Sequence, residues 1–170
     1  MSTADITSIL GNIGLSLTSV QTLVSGAGYL LGLMFVISGL YKFTKISKYS
    51  QEHVSVPLAL ILGGAALIYL PTSITVVSTT FFGTSSILQY QQYSPYNIYS
   101  SMRVIIQTAG LVWFVIGAGL LVSAAEPGKQ HGPKGLLFVI AGVLAMNFDY
   151  TVESINGIFT WFMSLTMKVL

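Results

Sequence analysis

An all-α polytopic membrane protein, with about four transmembrane helices arranged as two similar hairpins and outward helical extensions, is the fold class that three features of this sequence predict. The chain is 53% hydrophobic and 7% charged, with a mean hydropathy of +0.77, outside the range of soluble globular domains. Its apolar residues gather in long uncharged runs, and related five-residue patterns recur in its two halves. The 170 residues fit one membrane domain, 1–170. It divides into a first hairpin at 23–70, a non-cytoplasmic segment at 71–102, a second hairpin at 103–148 and an outward C-terminal extension at 149–170.

The first span, Leu23 to about Tyr41, carries no charge and matches a hydrocarbon core of about 30 Å at 1.5 Å per residue. The second, Val54 to Leu70, follows Glu52-His53 and precedes Pro71, which discourages further helix. The third runs from Val104 to Ala125, between Arg103 and Glu126-Pro127-Gly128, long enough for a tilted span. The fourth is apolar from Gly135 to Met146, about 18 Å, before Asn147, Asp149 and Glu153 bring polarity. Ile6, Ile9, Leu10, Ile13, Leu17 and Val20 recur at helical spacing ahead of the first span. Ile155 to Leu170 is apolar but interrupted by Asn156-Gly157, and is expected to extend the fourth helix outward. Asp5 and no Lys or Arg precede the first apolar stretch, so a cleaved secretory signal is not expected.

Five of the seven basic residues, Lys42, Lys45, Lys48, Lys129 and Lys134, lie in two short loops. Four spans put both loops on one side, and the positive-inside rule makes that side cytoplasmic. Both termini then face outward, on the side away from the cytoplasm. The intervening stretch to Met102 is uncharged and contains Tyr90, Tyr93, Tyr96 and Tyr99, as an ordered segment with interfacial aromatics does.

Phe35-Val36-Ile37-Ser38-Gly39 resembles Phe114-Val115-Ile116-Gly117-Ala118 at a separation of 79 residues, and Leu60-Ile61-Leu62-Gly63-Gly64 resembles Phe138-Val139-Ile140-Ala141-Gly142 at 78. A tandem duplication of one hairpin accounts for both. Gly28, Gly32, Gly39, Gly63, Gly64, Gly117 and Gly142 offer flat faces on which helices pack in lipid, where apolar burial gives little drive. The sequence leaves open whether those faces lie inside one bundle or between subunits. Oligomerisation is expected, because sparsely charged outer extensions leave apolar surface uncovered in a monomer.

Seven basic residues are too few for a phosphate-binding surface, so sequence-specific nucleic-acid binding is not expected. There is no cysteine, which excludes disulfides and thiol chemistry. His53 and His131 occupy the two basic loops and read as solvated residues. Asp149 and Glu153 lie four apart on one helical face without a nucleophile or base beside them, and read as interfacial anchors. Neither a catalytic residue, a cofactor site nor a metal site is expected. The span centres hold no ionisable residue, which weighs against coupled transport.

Leu67-Ile68-Tyr69-Leu70-Pro71, then Phe82-Gly83 and Leu88-Gln89-Tyr90, resemble the DotE/IcmC family of type IVB secretion systems. So do Ile106-Gln107 with Gly110-Leu111, the Gly128 to Gly135 loop ending in Lys134-Gly135-Leu136, and Ala141-Gly142-Val143-Leu144-Ala145-Met146-Asn147. The likeness covers roughly residues 20 to 158. It implies a structural inner-membrane subunit of a Dot/Icm-like secretion or conjugation apparatus, beside DotA-like and DotP/IcmD-like membrane proteins, in contact with lipid. A pilin-like or holin-like homo-oligomeric pore-former and a small solute transporter are the alternatives.

Overall fold

The computed structural model describes residues 3–46, 54–83, 98–126 and 128–167. Lys48, Glu52, His53, Lys168 and the tyrosines at 90, 93 and 96 lie outside the described residues, as does the Leu88-Gln89-Tyr90 motif. Among the described residues the secondary structure is helical: α1 (Thr3–Ile46), α2 (Ser55–Ile68), α3 (Leu70–Phe82), α4 (Ile98–Ala124), α5 (Gly132–Met146) and α6 (Phe148–Met167).

The expected first span is the second half of α1, a single helix of 44 residues and so about 66 Å long. The heptad-like stripe of Ile6, Ile9 and Ile13 belongs to this same helix and stays exposed. Among the described residues α1 and α4 are each long and apolar enough to cross a membrane. The other two candidates are bent pairs, α2 with α3 at 96° and α5 with α6 at 95°.

These bends correct two expectations. Pro71 does not end the second helix: the break falls at Tyr69 (φ −95°, ψ 39°), and Pro71 sits in the first turn of α3, where its missing N–H leaves no intrahelical bond unmade. Nor does the C-terminal extension prolong the fourth helix. It turns away at Asn147 (φ −100°, ψ 41°). A sharp corner exposes carbonyls of the last helical turn, and side chains just beyond it satisfy them. The Ser73 hydroxyl donates to the Ala66 carbonyl (2.8 Å), and the Thr151 hydroxyl to the Leu144 carbonyl (2.8 Å). Both corner residues keep their own N–H bonded, Tyr69 to Ala65 and Asn147 to Val143, each at 3.0 Å.

Each of these pairs, Tyr69/Asn147, Ala65/Val143, Ser73/Thr151 and Ala66/Leu144, is separated by 78 residues. The two halves are therefore one structural unit used twice at that separation. The separation of 79 expected between the first and third spans is one residue too long.

α1 packs on α2 and α4 on α5, and the two pairs meet through α1 with α4 and α2 with α4. Leu67, Leu70 and Ile74 from the first half close against Leu111, Phe114, Val143 and Met146 from the second. A smaller cluster of Val56, Leu60 and Val122 lies toward the inter-helix loops. At the corner end, α3 reaches across to the second half. There the buried Ser78 hydroxyl donates to Asn147 Oδ1 (2.9 Å), while Asn147 Nδ2 donates to the Val143 carbonyl (2.8 Å). Gly83 stops α3 in the left-handed conformation (φ 70°) that glycine adopts without a Cβ clash.

Asn147→Ala strands the Ser78 hydroxyl in a site where both residues are almost wholly buried. The expected cost is about 1–3 kcal/mol, read as a lowered melting temperature of the detergent-solubilised protein. Thr151→Val, at the exposed side of the same corner, lowers it less.

Candidate functional site: glycine crossings and a corner cavity

The glycines pair within each half. A Cβ built on Gly32 falls 2.7 Å from the Gly64 carbonyl oxygen, and one built on Gly64 falls 2.7 Å from that of Gly32. In the second half Gly110 and Gly142 repeat this reciprocal approach at 2.7 Å each way. About two turns along, Gly39 faces Pro57 and Ile61 as Gly117 faces Gly135 and Val139. The partners run in opposite order on the two helices, so each pair is antiparallel.

Gly63 and Gly28 serve between the halves: a Cβ on Gly63 meets the Val122 side chain, and one on Gly28 meets Leu70 and Val115 at 3.2 and 3.6 Å. The seven glycines singled out in the sequence therefore all face neighbouring helices of the same chain. Gly110 and Gly135 belong with them, and a constant separation of 78 from Gly32 and Pro57 is the signal that finds them. Gly26 and Gly119 have open space where a side chain would stand.

A cavity of about 410 Å³ lies at the corner end between α1, α3, α4 and α5. Its polar wall is Thr18, Gln21, Thr22 and Ser25, one face of α1 at helical spacing, with Gln107 opposite; Leu70, Ile74, Leu111 and Met146 close the apolar side. Gln21 Nε2 donates to Thr108 Oγ1 (2.9 Å), and Gln107 Nε2 donates to the Met146 carbonyl (3.2 Å). Uncharged donors and acceptors of this kind hold water or a neutral polar group.

Among the described residues the ion pairs stand at the two ends of the bundle. At the corner end Asp149 pairs with Arg103 and accepts a hydrogen bond from the Tyr99 hydroxyl (2.8 Å), tying the start of α6 to the start of α4. At the loop end Glu126 lies 2.5 Å from Lys129 and 3.7 Å from Lys42, so one carboxylate bridges the end of α1 to the α4–α5 loop. The hydrogen bond from Lys129, supported by Lys42, holds its carboxyl below the usual range. Lys45 lies 4.5 Å from the Tyr41 ring centre, and Lys134 lies 5.9 Å from that of Phe138. His131 precedes α5, and among the described residues no three His, Asp or Glu side chains gather as a metal site.

Gly32→Leu, which drives a side chain into the backbone of α2, is expected to insert into membranes normally yet unfold at markedly lower temperature. Gly26→Leu, which points into open space, is expected to melt as the parent does. A lowered carboxyl pKa adds stability above the ordinary carboxylate pKa of about 4.3, and that stability is lost as pH falls through the depressed value. Acidification from about pH 7 to about pH 3 is thus expected to lower the melting temperature of the parent more than that of Glu126→Gln, by a small margin because the pair is partly solvated. Comparison of the chain with protein-family models, curated proteins and solved structures found no match.

Proposed function

We propose that the chain is a four-span subunit of a bacterial inner membrane, two similar hairpins with the Lys-bearing loops in the cytoplasm. Its work is structural, in the assembly of a type IVB (Dot/Icm-like) secretion or conjugation channel. The observation that carries this reading is where the resemblance falls. Leu67-Ile68-Tyr69-Leu70-Pro71 runs through the α2–α3 corner, and the stretch from Ala141 to Asn147 runs into the α5–α6 corner. Two of the motifs that carry the likeness to the DotE/IcmC family thus fall on the corners that shape the bundle.

Other observations support it. Large apolar side chains such as Leu30, Met34, Ile37 and Leu137 are more than half exposed, as a lipid-facing or protein-facing exterior requires. Lys42, Lys129 and Glu126 share the loop end, opposite the two corners, which fits the positive-inside orientation. Polar side chains of the bundle interior hold helices together, as Gln21 with Thr108 and Ser78 with Asn147 do. The expected partners are DotA-like and DotP/IcmD-like membrane proteins, together with lipid.

Purification of tagged protein from its host in gentle detergent, followed by mass spectrometry of what accompanies it, tests the assignment. Recovery with other Dot/Icm proteins is expected. Recovery alone as a small homo-oligomer would replace it with a holin-like pore, and substrate-dependent flux in proteoliposomes with a transporter.

A further inference from the structure

The duplicated unit makes an interface that the chain can satisfy only once. Between the halves, α1 and α2 pack on α4, and α3 packs on α5. Moving each helix on by one unit turns the α1–α4 contact onto itself and gives the counterpart pairs α5 with α1 and α6 with α2, which among the described residues make no comparable packing contact. The halves therefore meet front to back, not face to face. A front-to-back contact leaves one unfilled front and one unfilled back.

Exposure shows both. Ile74 is 1% exposed in the contact made, and its counterpart Val152 is 44% exposed. Asn147 is 3% exposed and its counterpart Tyr69 67%. Val115, packed beside Gly28, corresponds to Ile37, which is 65% exposed. Ser78, buried against Asn147, corresponds to the exposed Asn156. The unfilled front thus carries Val152 and Asn156 on α6, and the unfilled back carries Ile37 on α1 and Tyr69 at the first corner.

We propose that this chain assembles head to tail with further copies of itself, α6 of one copy seating on the α2–α3 corner of the next as α3 seats on the α5–α6 corner within the chain. The chemistry is conserved through the exchange. Where Ser78 donates to Asn147, the Tyr69 phenol donates to the amide oxygen of the neighbour's Asn156. A second copy pairs these two groups and covers the apolar side chains around them. On the membrane orientation given above, both halves cross the bilayer in the same sense, so the operation relating them turns about the membrane normal. Repeated in the plane, such an operation gives a ring when its rotation closes. The pairing of copies rests on the repeat geometry, not on the secretion assignment.

The chain has no cysteine, so introduced thiols report contacts unambiguously. In native membranes under mild oxidation, the full chain carrying both Tyr69→Cys and Asn156→Cys is expected to give a ladder of dimers, trimers and larger species. Co-expressed single variants are expected to give dimers, and each single variant by itself only monomer. A second pair, Ile37→Cys with Ile106→Cys, the counterparts of Val115 and Gly28, is expected to behave alike. Ser78→Cys with Asn147→Cys, which closes within one chain, reports that the fold is intact. Dimers from either single variant alone would mean two-fold pairing and overturn the proposal. Monomer from both double variants, in membranes where the Ser78/Asn147 pair closes, would mean that lipid covers both faces and would overturn it as well.

Discussion

The reciprocal approach of backbone to backbone at Gly32/Gly64 and again at Gly110/Gly142 is the constraint on which the rest of the structure depends. In a hydrocarbon solvent two apolar helices gain almost nothing by hiding surface from each other, so close van der Waals contact must supply the attraction. A side chain at any of these four positions would stand within 2.7 Å of the facing carbonyl oxygen and force the axes apart. Because the crossing occurs at the same place in each half, it also sets where each returning helix arrives. The two corners stand in the same relation to their crossings, and α3 is delivered onto the second corner.

Polarity is distributed by the same logic. Within the bundle, hydroxyl and amide groups bind carbonyls or one another: Ser78 with Asn147, Gln21 with Thr108, Gln107 with the Met146 carbonyl. Among the described residues the ion pairs stand at the ends, Arg103 and Asp149 at one and Glu126 with its two lysines at the other. An ion pair deep in hydrocarbon would incur a desolvation penalty that its attraction need not offset. Neutral hydrogen bonds therefore hold the interior, and ion pairs trim the edges where water reaches.

The helical class and the positions of the apolar runs were legible in the sequence, because lipid demands long uncharged stretches whatever the tertiary fold. The boundaries of α2 and α5 follow closely for that reason. The corners were not legible. Tyr69-Leu70-Pro71 looks like a helix ending, and only the Ser73 and Thr151 hydroxyls, which rescue carbonyls across the break, show that a new helix starts there. Glycine identity pointed to close packing but not to its partners, since facing residues are set by the crossing and not by local pattern. The separation of 79 matched Phe35 to Phe114 by residue type, whereas the 78-residue register of the glycine contacts sets Val36 opposite Phe114. A phenylalanine has moved by one position while the glycines kept theirs. Side-chain likeness misled because apolar residues facing lipid exchange freely; glycines at a crossing do not.

The corners also limit how much bilayer the chain can tolerate around it. α2 has 14 residues and α5 has 15, about 21 and 22 Å of helix, against a hydrocarbon layer of about 30 Å. α4, with 27 residues, is about 40 Å long. The two kinds of helix thus set different thicknesses on different flanks of one small protein. In the four-span arrangement proposed above, lipid beside the short helices must thin, and lipid beside the long ones must stretch or the helices must tilt. That mismatch is an elastic deformation shared by any neighbour of similar height, and it draws such neighbours together. Two right-angled turns in the backbone therefore make membrane elasticity itself a force for clustering.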